Sequence, residues 1–365
     1  MKSRNREEEH RLAALFRGEI ARLATRPVRL MEVCGTHTVA IFKAGIRQLL
    51  PPEVELVSGP GCPVCVTPNE YLDTAVAYSR QEGVIVTTFG DMLRVPGSSS
   101  SLAAEQATGA DIRIVYSPLD SLAIAAANPA KKVIFLAVGF ETTAPTAAAT
   151  VLAAEQAGLA NFFVLSAHKL VPPALHALLT AGEVQVDGLL LPGHVSAIIG
   201  EEPYRFLARE YGVPAVITGF EPLDILGAVY LLVKRLAAGE AALDNGYRRV
   251  VPPEGNPAAL AVLDKVYGEA DAAWRGIGVI PASGLAVKAA YRRFDALAAL
   301  PVTVEETKDH PGCRCGEVLR GVARPADCPL FGAACTPERP VGSCMVSVEG
   351  TCAAWYKYGA GRWQV

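Results

Sequence analysis

Nine cysteines are unevenly spread over 365 residues: Cys34, Cys62 and Cys65 precede residue 300, whereas Cys313, Cys315, Cys328, Cys335, Cys344 and Cys352 crowd the last segment. Cys34 opens the run Cys34-Gly35-Thr36-His37-Thr38, directly after an apolar stretch. A thiol at a strand-to-helix turn faces the positive end of the helix dipole, which lowers its pKa and favours the thiolate that attacks or ligates metal. His37 then offers a second ligand, a base or a hydrogen-bond donor. The competing reading is a buried cysteine beside a capping threonine.

The second apolar run ends in Gly59-Pro60-Gly61-Cys62-Pro63-Val64-Cys65. A C-x-x-C of this kind is a dithiol able to close to a disulfide, or half of a metal site. Its glycines and prolines fix a tight turn and permit close backbone approach. The six tail cysteines lack the repeated C-x-x-C knuckles of two-site zinc binding and the run typical of bacterial ferredoxins. Six thiols permit four cluster ligands plus one redox pair, with zinc as the alternative. From about Pro301 the chain is rich in Gly, Pro and Cys with little periodicity, so a metal centre is expected to organise it. Asp91, Glu141, His168, Lys169, His194 and Glu221 each follow an apolar run. Singly, such residues read as caps or loop groups rather than ligands.

Positioning these residues falls to short apolar runs: 28–33, 54–58, 84–89, 112–116, 133–140, 162–167, 188–192 and 213–220. Nearly all apolar and β-branched, they predict strands covered by helices on both faces, with Ala- and Leu-rich helical stretches such as 144–157 and 223–238 between them. The fold class is therefore α/β: two doubly wound lobes with mainly parallel sheets, plus a small irregular Cys-rich C-terminal domain organised by a metal centre. The expected domains are an N-terminal helix (1–26), a first lobe carrying both thiol motifs (27–145), a second lobe (146–300) and the Cys-rich segment (301–365). In such sheets ligands bind beyond the carboxyl ends of the strands, where all these polar loops fall. A weak echo, Gly139-Phe140-Glu141 against Gly219-Phe220-Glu221, hints at duplication.

Composition excludes other classes. With 51% hydrophobic and 19% charged residues the chain buries a large core, and a net charge of −3 leaves no electrostatic footprint for nucleic acid or an anionic membrane. No stretch of about 18 uncharged apolar residues occurs, and the N-terminus lacks a signal-peptide core, so a cytoplasmic protein is expected. There, cysteines serve metals, catalysis or redox exchange more often than structural bridges. No G-x-x-x-x-G-K-[ST] or G-x-G-x-x-G fingerprint appears.

Taken together, the blocks MEVCGTHT (31–38), SGPGCPVCVTP (58–68), TFGDMLRVPG (88–97), VGFETTAP (138–145), SAHKL (166–170), PGHVS (192–196), GFEPLD (219–224) and the tail from CRCGEVLRG to EGTCAAWY carry a whole-length resemblance. The sequence resembles the HypD family of hydrogenase maturation factors. That resemblance implies a scaffold on which the Fe(CN)2CO unit of nickel-iron hydrogenases is assembled with the chaperone HypC and the cyanide-supplying HypE, serving the hydrogenase large subunit indirectly. It implies iron held by Cys34 and a partner cysteine, His37 beside that iron, and Cys62 with Cys65 as a reversible dithiol. The family also resembles ferredoxin:thioredoxin reductase in setting a 4Fe-4S cluster beside a disulfide. On that basis Cys313, Cys328, Cys335 and Cys352 are the expected cluster ligands, with Cys315 and Cys344 as the redox pair. Electrons would pass from the cluster through both dithiols to the iron. The implied protein is an assembly scaffold with redox activity; the alternative is a free-standing 4Fe-4S-dependent protein disulfide reductase.

Overall fold

The computed structural model describes residues 6–359. Its strands are β1 (Val28–Glu32), β2 (Val54–Ser58), β3 (Val84–Thr88), β4 (Ile112–Ile114), β5 (Lys132–Ala137), β6 (Phe162–Ser166), β7 (Gly188–Pro192), β8 (Ala215–Thr218), β9 (Leu243–Asn245), β10 (Tyr267–Trp274) and β11 (Gly278–Val287). Every apolar run read as a strand is one, because a run buried on both faces has no polar side to alternate with. β7 and β8, for example, are buried at every position.

One sheet has the order β2-β1-β7-β8-β9 and another β4-β3-β5-β6, both wholly parallel. Renumbered within each sheet, the orders are 2-1-3-4-5 and 2-1-3-4, the same doubly wound pattern with a switch point between the first and third strands. The α/β fold class is therefore observed. The lobes, however, are not contiguous at 27–145 and 146–300. The first sheet takes β1 and β2 from before the second sheet's strands and β7, β8 and β9 from after them. Hydrophobic runs mark strands but not their neighbours; here Leu30, Met31 and Glu32 pair with Gly188, Leu189 and Leu190, 158 residues further along the chain. Nor does the sequence echo mark the repeated order, since Gly139-Phe140-Glu141 follows the third strand of its sheet and Gly219-Phe220-Glu221 the fourth.

The N-terminal helix Arg6–Leu23 packs on the helix Pro222–Ala238, with Phe16 stacked on Tyr230 at 5.5 Å. Residues 1–5 of that expected segment, and 360–365 of the tail, lie outside the described residues. β10 and β11 form an antiparallel hairpin, interrupted between Ala270 and Ala272. The tail is short-helical and irregular, as expected: Cys315–Leu319, Thr351–Tyr358 and single turns. It is not held by thiols alone, because Val318, Leu319 and Met345 pack into one buried cluster with Met31, Val57 and Cys65 beneath the first sheet. No helix among the described residues is long and apolar enough to cross a membrane.

Candidate thiol and metal site

Cys34 follows β1 at the switch point beside β7, in extended backbone, and caps the helix Gly35–Lys43. The loop after β2 is pressed against this turn: Gly35 N donates to Gly61 O at 2.9 Å, and a Cβ on Gly61 would stand 2.2 Å from Cys34 N. Beneath it the buried Glu32 braces the turn, accepting from Thr38 Oγ1 at 2.5 Å and from Cys34 N at 3.4 Å. Burial pushes the Glu32 carboxyl up to about 7, against the hydrogen bonds it accepts.

The expected low thiol pKa at Cys34 is overturned. Backbone N–H groups of His37 and Thr36 do favour the thiolate, as a helix N-terminus should, but burial outweighs them and the Glu349 carboxylate adds to it, pushing the thiol up to about 12. Cys34 is only 8% exposed, and an ion deprived of water loses more than two or three N–H dipoles restore. The thiol keeps its proton until a metal or base takes it.

His37 Nε2 lies 2.9 Å from Gly219 O. A carbonyl only accepts, so Nε2 carries the hydrogen and Nδ1 is a bare lone pair, buried without a partner. That is the arrangement of a ligating histidine, whose other nitrogen is fixed by a backbone carbonyl. Burial lowers the ring to about 4, so it is neutral. The rings of His37 and His194 both stack on Phe220, at 4.6 and 3.9 Å, gathering the ends of β1, β7 and β8. The tail closes over this turn: Thr36 Oγ1 donates to Glu349 Oε1 at 2.6 Å, and a Cβ on Gly35 would stand 2.5 Å from Glu349 O.

Cys62 and Cys65 are joined by a disulfide, and Cys62 caps the short helix Pro63–Val66. Ser343 connects this pair to the tail. Its hydroxyl donates to Cys65 O at 2.8 Å and lies 3.7 Å from Cys315 Sγ, while Cys315 Sγ is 2.6 Å from Cys344 Sγ. All six tail cysteines line one small cavity together with Val318, Leu330, Phe331 and Met345. Interaction with Cys313 and Cys344 holds the Cys315 thiol well below an ordinary thiol, and the same interaction raises those two.

Among the described residues no three His, Cys, Asp or Glu side chains converge on a single metal ion. A cluster asks for something else, since each thiolate binds a different iron and the ligands therefore stand apart around the inorganic core. Six soft donors line one apolar-backed cavity, the ligand chemistry such a cluster takes.

Other residues singled out in the sequence separate by environment. Asp91 accepts from Ser347 Oγ at 2.7 Å and Glu221 pairs with Arg249 at 3.6 Å, so both hold loops. His168 is buried edge-on to Tyr267, and burial lowers it to about 3; Lys169 beside it is lowered to about 8 by burial. Glu141 is buried, with Oε1 accepting from Val171 N at 2.8 Å and Oε2 unpartnered. Glu32, Ser343, Ser347 and Glu349 went unread. Glu32 alone left a signal, as a charge at the end of a short strand whose core-facing neighbours Leu30 and Met31 are apolar.

The chain is similar to known proteins over most of its length. The HypD family model, described as the hydrogenase formation hypA family, matches residues 11–359. The chain belongs to the HypD family. It is 46% identical to the hydrogenase maturation factor HypD of Rhodobacter capsulatus, over 97% of this chain and 98% of that one. Identity to HypD of Escherichia coli K12 is 48%, over 92% and 90% of the two chains. A putative hydrogenase expression/formation protein of Methanocaldococcus jannaschii is 45% identical, over 91% and 92%. In this HypD-family chain the block around Cys34 is β1 with its turn, and the block around Cys62 is β2 with the loop pressed upon it.

Proposed function

We propose that this chain acts in hydrogenase maturation as a cytoplasmic assembly scaffold, on which the Fe(CN)2CO unit is built with HypC and HypE. Iron is the cargo, held by Cys34 and a cysteine of the partner. The observation that carries this reading is the meeting, at one switch point, of a lone thiol, a histidine with a bare Nδ1 and a disulfide-bearing loop, all closed over by the six-thiol tail. Soft thiolate suits low-spin iron bearing cyanide and carbon monoxide.

Each group has a step to perform. Cys34 gives up its proton as it binds iron, and His37 presents Nδ1 as ligand or acceptor. A 4Fe-4S cluster, with Cys313, Cys328, Cys335 and Cys352 as its ligands, would supply single electrons when bound. Reduced Cys315 attacks the Cys62–Cys65 disulfide as thiolate, displacing one sulfur; Cys344 then resolves the mixed disulfide. Two electrons move, one disulfide replaces another, and the two thiol protons pass to the released sulfurs. Ser343, in contact with both pairs, holds them together for this exchange.

A free-standing disulfide reductase is less well supported, because Cys62 and Cys65 are 4% and 0% exposed and offer no sulfur to a foreign disulfide. The test is complementation of a strain lacking its own family member. Wild type is expected to restore hydrogenase activity and Cys34→Ala to restore none; restoration by Cys34→Ala would refute the scaffold.

A further inference from the structure

Cys34 is 8% exposed, yet an iron shared with another protein's cysteine needs open space beside it. Two walls of its turn are fixed. Gly61 touches the Cys34 backbone from the loop after β2, and β2 is paired with β1 at every position. Below, Glu32 accepts from Thr38 Oγ1 and from Cys34 N. The third wall is the short connection between the turn Ser343–Met345 and the helix Thr351–Tyr358. There Glu349 lies directly on Gly35, where a Cβ would stand 2.5 Å from Glu349 O and 2.7 Å from Glu349 Cβ.

A short chain of hydrogen bonds holds this connection down. Thr36 Oγ1 donates to Glu349 Oε1 at 2.6 Å, Glu349 N donates to Ser347 Oγ at 3.3 Å, and Ser347 Oγ donates to Asp91 Oδ2 at 2.7 Å. Asp91 stands in the helix Gly90–Leu93 after β3, so the chain begins at the first sheet and ends on the second. Ser347, 3% exposed, is its middle link, one hydroxyl acting as both donor and acceptor. The apolar anchors flank this stretch. Met345 and Val346 before it, and Cys352 and Ala353 after it, sit in buried clusters, whereas Val348 is 64% exposed. A segment held mainly by hydrogen bonds, with few buried apolar contacts of its own, opens at the low end of a protein's local stability range.

Resting on the scaffold reading, we infer that residues 347–349 form a lid over Cys34, latched to the second sheet through Ser347 and Asp91, and that the partner's cysteine reaches the iron only when this lid lifts. Ser347 and Asp91 are positioning residues, acting through Glu349 rather than on the thiol. They set how often Cys34 is presented. A partner that binds only the open state loses affinity in proportion to the fraction of molecules that are closed, so loosening the latch strengthens its binding by the factor in which the open fraction grows. Modification of Cys34 by a small reagent needs the same opening and grows by the same factor. The two readouts are therefore tied to each other.

The test uses full-length wild type, Ser347→Ala and Asp91→Ala, each purified without partner, and reads iodoacetamide modification of Cys34 at fixed pH together with affinity for purified HypC. Each variant loses the latch hydrogen bond, so the inference predicts Cys34 modification about tenfold faster in both and HypC binding tighter by the same factor. Cys335, similarly buried at 7%, should keep its wild-type rate. Unchanged Cys34 rates in both variants overturn the inference and leave the scaffold standing. Equal acceleration at Cys335 also overturns it, since the whole tail would then have loosened, as does faster Cys34 modification without tighter HypC binding. Failure of wild type itself to bind HypC overturns the scaffold reading and the inference with it. If Asp91→Ala proves insoluble, Ser347→Ala decides by the same readouts.

Discussion

Gly61 and Cys34 touch through their backbones: a Cβ at 61 would stand 2.2 Å from the Cys34 nitrogen and 2.5 Å from its Cα. Neither backbone can yield without moving β1 or β2, which are paired along their whole lengths. Gly61→Ala is therefore expected to lower stability by about 1–3 kcal/mol, the usual range for overpacking. Urea denaturation measures it; an unchanged midpoint would mean that the loop stands off the Cys34 turn.

The raised Cys34 pKa has a kinetic signature. Only the thiolate alkylates, so with a pKa of about 12 the rate of Cys34 modification should rise about tenfold per pH unit from 7 to 10 without levelling. Mass-spectrometric quantification of iodoacetamide adducts in unloaded protein follows it. A plateau near pH 8 would show that the helix N-terminus, rather than burial, dominates. Because the Glu349 carboxylate contributes to the rise, Glu349→Gln should react faster than wild type at a given pH.

His168 makes stability depend on acid. Its folded pKa is depressed to about 3 from 6.5, chiefly by burial, so the unfolded chain takes up a proton that the folded chain refuses. The stabilisation is complete above 6.5 and is lost as pH falls toward 3. Glu32 and Glu141, both raised to about 7 by burial, act in the opposite sense, stabilising below 4.5 and losing that contribution as pH rises through 7. His168→Gln should accordingly flatten the decline in unfolding free energy between pH 6.5 and 5 relative to wild type. An identical slope in the variant would show that His168 is protonated in the fold.

Oxidation of the tail should be selective. Cys315 Sγ, held low by its neighbours, lies 2.6 Å from Cys344 Sγ. Mild oxidation of cluster-free protein is expected to join Cys315 to Cys344 before any other tail pair, as read by peptide mapping. Cys313–Cys315 as the first product would reassign both redox and ligand sets.

Much of this was legible along the chain. β1 to β8 were marked by short, mostly apolar runs, and the thiol chemistry by Cys34-Gly35-Thr36-His37 and Cys62-Pro63-Val64-Cys65, because such patterns are local. The pairing of β1 with β7 was not, since nothing in Leu30 or Leu189 names its partner. β10 and β11 escaped because Tyr267–Trp274 is Ala-rich with acidic residues and shows neither a clean alternation nor an apolar run. The Cys34 pKa was misread for a related reason: the helix N-terminus is visible in sequence, whereas burial depends on Gly61, Glu349 and the tail arriving from elsewhere. Ser343 and Ser347 carry no sequence mark; they matter only through what folding sets beside them.

The central claim is that Cys34 is the residue on which the iron unit is held. Infrared spectra of full-length wild type and Cys34→Ser, each copurified with its partner from hydrogenase-competent cells, test it most directly. The account predicts cyanide and carbon monoxide stretches in wild type and none in Cys34→Ser; bands of equal intensity in the variant would contradict it.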